Sequence, residues 1–188
     1  MMDRRRALKF AAGLAASPLA LPARGAVLDP TPACPGEGAT PRQTEGPFYS
    51  PRSPLKSNFR ADARGEPLLL QGYVLDTRCR PLSGAWLDLW HADASGAYDN
   101  QGFRLRGHQY ADAGGRYRFE TIVPGSYPGR TRHFHLKLRA PGTRRTLTTQ
   151  LYFPEEPENA RDALFRSELL LRIDRAAGVA RFDFVLEA

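Results

Sequence analysis

Four side chains in two short stretches carry donor atoms that could meet at one metal ion. His133 and His135 stand two residues apart in Arg132-His133-Phe134-His135-Leu136-Lys137-Leu138. The alternation of apolar and polar residues after His135 predicts a strand. In a strand, positions i and i+2 share one face, roughly 6.5 to 7 Å apart, so both imidazoles can converge on one ion. Tyr127 precedes His133 by six residues, in Pro124-Gly125-Ser126-Tyr127-Pro128-Gly129, where proline and glycine impose an irregular path back toward the strand. Tyr98 ends a second glycine-containing loop, His91-Ala92-Asp93-Ala94-Ser95-Gly96-Ala97-Tyr98. A free phenol has a pKa of about 10, and a hard trivalent cation favours its phenolate form. Two phenolates with two imidazoles suit ferric iron better than zinc or copper. Alone, an H-x-H pair is more often two half-exposed polar residues, and a lone tyrosine more often a core residue with a satisfied hydroxyl. The combination is what points to a metal.

The elements that would have to position these residues are short strands. Leu68-Leu69-Leu70-Gln71-Gly72-Tyr73-Val74-Leu75 reads as a buried strand, followed by turn chemistry in residues 76–84. Ala85-Trp86-Leu87-Asp88-Leu89-Trp90 returns as a strand with Trp86, Asp88 and Trp90 on one face and Leu87 and Leu89 on the other. Residues 117–122, 133–138 and 146–153 give three more strands, residues 159–165 a short helix, and residues 169–173 and 181–186 the closing strands, with Phe182, Phe184 and Leu186 sharing a face. About seven short strands separated by turns, with no long helical period, predict an all-β sandwich. Residues 27–66, rich in Pro, Gly, Arg and Ser, read as an extended arm. The expected division is therefore residues 1–25 as a leader, 26–66 as the arm and 67–188 as the catalytic sandwich.

The 188 residues suffice for one domain with a real core. The formal net charge is +7, of which residues 1–25 hold +4 and the remainder only +3. With arginines scattered and no basic helix, the charge is no nucleic-acid footprint. Asp3-Arg4-Arg5-Arg6-Ala7-Leu8-Lys9 is a basic segment with adjacent arginines, followed by an apolar run from Phe10 to Leu21 and small residues around Ala23-Arg24-Gly25-Ala26. The run is too short to span a bilayer and reads as a signal peptide, with no stable membrane insertion after its removal. The Arg-Arg-x-Ala-Leu-Lys spacing resembles a twin-arginine (Tat) signal, so a periplasmic or secreted protein is expected. A plain secretory signal with a basic start is the alternative. Cys34 and Cys79 both lie beyond this segment. An oxidising compartment and an even count permit one disulfide tying the arm to the first hairpin; two unrelated buried thiols are the alternative. No Gly-rich phosphate loop precedes a helix, which speaks against a nucleotide-binding fold.

Five ordered motifs carry a resemblance. Thr44-Glu45-Gly46-Pro47-Phe48-Tyr49, Leu89-Trp90-His91-Ala92-Asp93-x-x-Gly96-x-Tyr98, Gly115-Arg116-Tyr117-Arg118-Phe119-x-Thr121-Ile122-x-Pro124-Gly125-x-Tyr127, Arg130-x-x-His133-x-His135 and Leu147-Thr148-Thr149-Gln150-Leu151-Tyr152-Phe153 resemble the intradiol ring-cleavage dioxygenases, the group of catechol 1,2-dioxygenase and protocatechuate 3,4-dioxygenase. The match spans residues 43–154 and looks nearest to exported single-domain members, since no helical dimerisation domain precedes residue 43. The resemblance implies a non-haem Fe(III) bound by Tyr98, Tyr127, His133 and His135, with a small aromatic diol and O2 as partners in aromatic catabolism. It implies ring opening between the two hydroxyl-bearing carbons to a muconic acid. Tyr127 would leave the metal on substrate binding and act as base. Arg130 would lie beside the ring and stabilise developing carbanion charge. Gln150 would act near the iron, orienting a ligand or O2. Ser126 departs from the bulkier residue, often Trp, of exported relatives, and His108 and Tyr110 depart before Ala111-Asp112; all three bear on substrate identity. A homo-oligomer is compatible with the resemblance.

Two other readings compete. His91-x-Asp93 with a distant histidine would make the two-His-one-carboxylate triad of Fe(II) oxygenases, although His91 fits equally as a core-edge residue. Gly72-Tyr73-Val74-x-Asp76, Pro81-Leu82-Ser83-Gly84-Ala85, Gly115-x-Tyr117 and Pro124-Gly125-x-Tyr127 resemble the metal-free β-sandwich binding modules that accompany carboxypeptidases. Such a module has no use for Arg130 together with His133-x-His135.

Overall fold

The structure, a computed structural model, describes residues 38–188. The expected leader, residues 1–25, and Cys34 lie outside the described residues. Cys79 is disulfide-bonded. It occupies a tight turn with φ of 62° and donates its N–H to Asp76 O.

Among the described residues, nine strands form two sheets. The strands are β1 (Pro67–Asp76), β2 (Trp86–Trp90), β3 (Arg106–Tyr110), β4 (Arg116–Ile122), β5 (His133–Arg139), β6 (Thr146–Tyr152), β7 (Arg172–Asp174), β8 (Val179–Arg181) and β9 (Phe184–Leu186). One sheet runs β4-β1-β8-β7, with β9 also pairing β1; the other runs β3-β2-β5-β6. The expected all-β sandwich is the observed architecture. Among the described residues no helix is long and apolar enough to cross a membrane.

The period-2 pattern explains the layering. Leu68, Leu70 and Val74 of β1, Tyr117 and Phe119 of β4, Leu87 and Leu89 of β2, and Phe134, Leu136 and Leu138 of β5 fill the space between the sheets. Each such side chain contributes about 1.5 to 3 kcal/mol by leaving water. β5 is buried on both faces at its His133 end. The arm supplies the second cover, crossing the outer face of the β3-β2-β5-β6 sheet. Gln43 N donates to Thr148 O, and Lys56 N to His108 O.

Several expected boundaries shift. The strand Arg106–Tyr110 was not expected, because Arg-Gly-His-Gln-Tyr lacks apolar alternation; cross-strand pairing with β2 fixes it. The helix expected over residues 159–165 is a single 3-10 turn, Pro157–Ala160, and residues 169–173 split between a second 3-10 turn, Ser167–Leu169, and β7. The strand expected over 181–186 is broken in two. At the break, Asp183 Oδ1 accepts the N–H of Tyr73, and Phe182 O lies against Gly72. A Cβ on Gly72 would fall 1.9 Å from Phe182 O, a backbone atom that cannot swing aside. Gly72→Ala is therefore expected to cost roughly 3 kcal/mol, the upper end for overpacking, read as a lower urea midpoint with unchanged slope.

Candidate metal centre

Strand β5 sets the first two side chains. Phe134 points into the core, so His133 and His135 point to the outer face. The antiparallel register places His135 between Trp90 and Gln150, and His133 beside Tyr152. The Trp90 ring stacks on His135, with centroids 4.9 Å apart and planes 11° from parallel. His133 Nδ1 lies 2.6 Å from Thr131 O. A carbonyl can only accept, so the proton sits on Nδ1 and His133 Nε2 is left as a bare lone pair. That Nε2 faces His135 Nε2 at 3.0 Å. His135 Nδ1 is buried without a hydrogen-bond partner among the described residues. Either tautomer of His135 thus leaves a defect: two facing lone pairs at Nε2, or an unpartnered lone pair at Nδ1. A cation bound at the two Nε2 atoms would relieve the facing lone pairs, because each Nε2 would then give its lone pair to the ion while His135 Nδ1 carried the proton. Both rings are about 1 to 2% exposed. Burial, then the Arg130 charge, lowers the His133 pKa to about 4; burial, then His133, drives His135 well below its ordinary value. Both imidazoles are neutral near pH 7.

The tyrosines arrive on two loops packed backbone to backbone. Asp93 organises the first: its Oδ1 accepts the N–H groups of Ser95 and Ala97 and the Ser95 hydroxyl. Gly125 N from the second loop donates to Asp93 O at 2.8 Å. Gly96 has φ of 86°, and a Cβ there would meet Ser126 O at 2.3 Å; only glycine suits both conditions. The second loop closes through paired backbone bonds between Tyr127 and Arg130. The Tyr98 and Tyr127 ring centroids are 6.0 Å apart, Tyr127 lies 5.7 Å from His133, and Tyr98 6.3 Å from His135. The Tyr98 hydroxyl is buried with no hydrogen-bond partner among the described residues. Burial, then the neighbouring Tyr127 phenol, raises its pKa far above 10. Tyr98 is therefore a neutral phenol unless a bound cation holds its oxygen as phenolate.

The structure thus brings Tyr98, Tyr127, His133 and His135 together. Among the described residues no group of three or more His, Cys, Asp or Glu is placed to hold a metal; the donor set here depends on tyrosine oxygens. Two open cavities border Thr40 and Pro41, and neither is lined by the four side chains. The centre instead lies under the arm. Phe48 stacks on Tyr98 at 4.4 Å and meets Tyr127 edge-on at 6.3 Å. Gly46 lies against the His135 ring. Tyr49 packs on Trp90 at 4.7 Å and donates its hydroxyl to Asp88. Lys137 pairs with Glu45 and covers the Tyr49 ring.

Arg130 and Gln150 join the centre through a network only partly legible in the sequence. Arg130 donates from Nε to Asp162 Oδ2 at 2.9 Å and from a terminal nitrogen to Gln150 Oε1 at 2.5 Å. Burial opposes the Arg130 charge, but the Asp162 hydrogen bond and charge outweigh it and raise the pKa. Gln150, expected near the iron, donates one of its two Nε2 protons to Thr44 O, so it also links Arg130 to the arm. Asp162 also accepts from Thr131 N, fixing the turn before His133. Nothing in its local sequence marked it; only the fold brings it to Arg130, 32 residues away.

His91 goes elsewhere. It is fully buried, with Nδ1 at 2.7 Å from Ala92 O and Nε2 at 2.6 Å from Thr121 Oγ1. Both nitrogens are engaged, and Asp93 is spent on its turn, so His91-x-Asp93 forms no ligand pair. Burial lowers the His91 pKa to about 4. The unfolded chain therefore takes up the proton first as pH falls below about 6.5, and stability is lost down to about pH 4. His91 alone is expected to cost about 2 kcal/mol between pH 7 and pH 5; His133 and His135 act with the same sign. Urea unfolding at the two pH values should find His91→Gln less pH-sensitive by that amount. An equal slope in the variant would contradict the assignment.

Known proteins resemble this chain in sequence and fold. A family model described as Dioxygenase matches residues 44–188. A hydroxyquinol 1,2-dioxygenase of Rhizobium sp. (strain MTP-10005) is 31% identical over 77% of this chain and 58% of its own. A catechol 1,2-dioxygenase of Acinetobacter baylyi is 29% identical over 73% of this chain and 54% of its own. The chain spans a little over half the length of these curated relatives. Among solved structures, the dioxygenase domain of a dioxygenase and carbohydrate-binding protein fusion from Streptomyces sp. SirexAA-E superposes with a TM-score of 0.76 at 48% identity, over 85% of this chain and 99% of that one. Hydroxyquinol 1,2-dioxygenase from Pseudomonas putida DLL-E4 gives 0.71 at 29% identity, over 80% of this chain and 67% of that one.

Proposed function

The chain belongs to the intradiol ring-cleavage dioxygenase family, and on that premise we propose that it opens a catechol-type ring between its two hydroxyl-bearing carbons. Both atoms of O2 enter the product, a muconic acid. The ligands we assign to the Fe(III) are Tyr98, Tyr127, His133 and His135. The observation that carries this reading is the pair of facing, buried imidazole Nε2 atoms at 3.0 Å beside a buried, unpartnered phenol hydroxyl. Two phenolate oxygens with two neutral imidazoles suit a trivalent iron. When bound, the iron supplies Lewis acidity and a template for the diol.

The remaining work falls to this chain's own groups. Tyr127, on a loop bounded by Gly125 and Gly129, is the base we assign to a substrate hydroxyl proton, accepted at its phenolic oxygen. Arg130 carries a permanent charge held in place by Asp162 and Gln150, so it meets developing negative charge on the ring without reorganising. Phe48 and Gly46 roof the centre and exclude water. Export is part of the same proposal, and rests on the basic and apolar run of residues 3–21.

The test is the visible spectrum of the aerobically purified protein, followed by catechol added without oxygen. A broad phenolate-to-iron band that moves to longer wavelength on addition is expected. Tyr98→Phe and His135→Ala should each lose most of the iron while circular dichroism stays that of a β-sandwich. Stoichiometric iron with no such band would overturn the ligand set. A folded, iron-free protein that binds without turnover would restore the metal-free binding module.

A further inference from the structure

The two groups that hold Arg130 are themselves held, and both lines of support lead to one side chain. On one side, Arg130 Nε donates to Asp162 Oδ2 at 2.9 Å. Asp162 Oδ1 accepts the N–H of Leu164 at 2.9 Å, so the carboxylate is fixed by the turn that follows it. The carbonyl of that turn, Leu164 O, accepts the Gln43 side-chain amide at 2.9 Å, across 121 residues, and the Tyr152 hydroxyl at 2.7 Å. On the other side, a terminal nitrogen of Arg130 donates to Gln150 Oε1 at 2.5 Å. Gln150 keeps that orientation because its Nε2 donates to Thr44 O at 2.9 Å. Thr44 directly follows Gln43, whose own N–H donates to Thr148 O at 2.8 Å.

Gln43 thus gives its backbone N–H to β6 and its side-chain amide to the Asp162 turn. Pinned twice, the arm offers Thr44 O to Gln150 in a fixed place. Were the Gln150 amide to turn over, its NH2 would face the Arg130 guanidinium, donor against donor. The Arg130 side chain is 14% exposed and that of Asp162 1%, so water is a poor substitute for either support. A charge that meets developing charge without reorganising needs supports of this rigid kind. We propose that Gln43 is a positioning residue for Arg130, clamping the arm to the Asp162 turn so that both supports of the guanidinium stay in register. The proposal rests on the role given to Arg130 above. Because Arg130 answers charge that develops during the reaction, loss of the clamp slows turnover and leaves substrate binding largely as it was.

The experiment uses the iron-loaded protein with catechol. Gln43→Met keeps the side-chain length and the backbone bond to Thr148 but removes the amide donor; Gln43→Lys returns a donor of similar reach. Gln43→Met should lower kcat about tenfold, within the range that a small misplacement of a reacting group produces. KM, and the binding of catechol without oxygen, should change by less than about twofold. The visible band of the resting protein should stay where it is, and Gln43→Lys should recover most of kcat. In an Arg130→Gln background, Gln43→Met should cost less than about twofold more, because its effect passes through a group already removed. An unchanged kcat in Gln43→Met, a Gln43→Lys no faster than Gln43→Met, or the full loss repeated in the Arg130→Gln background would each overturn the proposal. A raised KM at unchanged kcat would do the same by making Gln43 a support of the substrate cover, and a shifted band by making it a support of the metal ligands. A Gln43→Met protein without the dichroism of a β-sandwich would reduce Gln43 to a structural residue, again overturning it. A wild type that turns over no catechol would instead remove the proposed function, and this inference with it.

Discussion

The pleat of β5 is the constraint on which the rest depends. Phe134, Leu136 and Leu138 are locked between the sheets, and that alone sends His133 and His135 to the opposite face. A shift of one residue would bury the imidazoles in the core and expose the phenylalanine. The hydrophobic core therefore sets the register of the candidate centre, and the two cannot drift independently. The neighbouring strands follow from that register. Trp90 stacks on one histidine and Tyr152 stands beside the other, because antiparallel pairing puts them there.

Strands alone cannot surround an ion on their outer face, and loops complete the enclosure. The Tyr98 and Tyr127 loops are joined by the close approach of Gly96 and Gly125 rather than by side chains. The arm then covers both. The centre has an electrostatic cost, since His133, His135 and Arg106 are buried and Arg130 is partly so. The histidines answer by staying neutral, and Arg130 by pairing with Asp162. The centre is a set of polar groups removed from water in which the Tyr98 hydroxyl and His135 Nδ1 find no hydrogen-bond partner among the described residues.

Much of this was legible in the sequence because it follows from period and composition. The alternation around His133 and in Trp86–Trp90 gave the two central strands, and the glycine-rich loops gave the two tyrosines. What was illegible depends on contacts distant in sequence. Arg106–Tyr110 has no strand-like alternation and is held by β2. The final strand reads as one run, and it breaks because Asp183 caps Tyr73 N. Asp162 sits in a polar stretch that looks like surface, and its partner Arg130 is reached only by the fold. Gln150 could be placed near the centre by its motif, but not its attachment to Thr44 O.

The order of strands has a consequence for how the molecule is assembled. The sheet bearing the histidines is made from residues 86–152, with neighbouring strands close in sequence. The opposite sheet is not: β1 must wait for β8 and β9, whose parallel pairing joins Leu69 to Val179 and Val74 to Phe184. Thr40 of the arm in turn bonds Val185 through both its N–H and its hydroxyl. Loop closure over such separations is slow, which places this topology among the slower folders. During synthesis the sheet that carries His133 and His135 can pair while residues 179–186 are still missing. The floor and roof of the buried centre are thus completed after its walls, so the donors meet solvent before they are sealed.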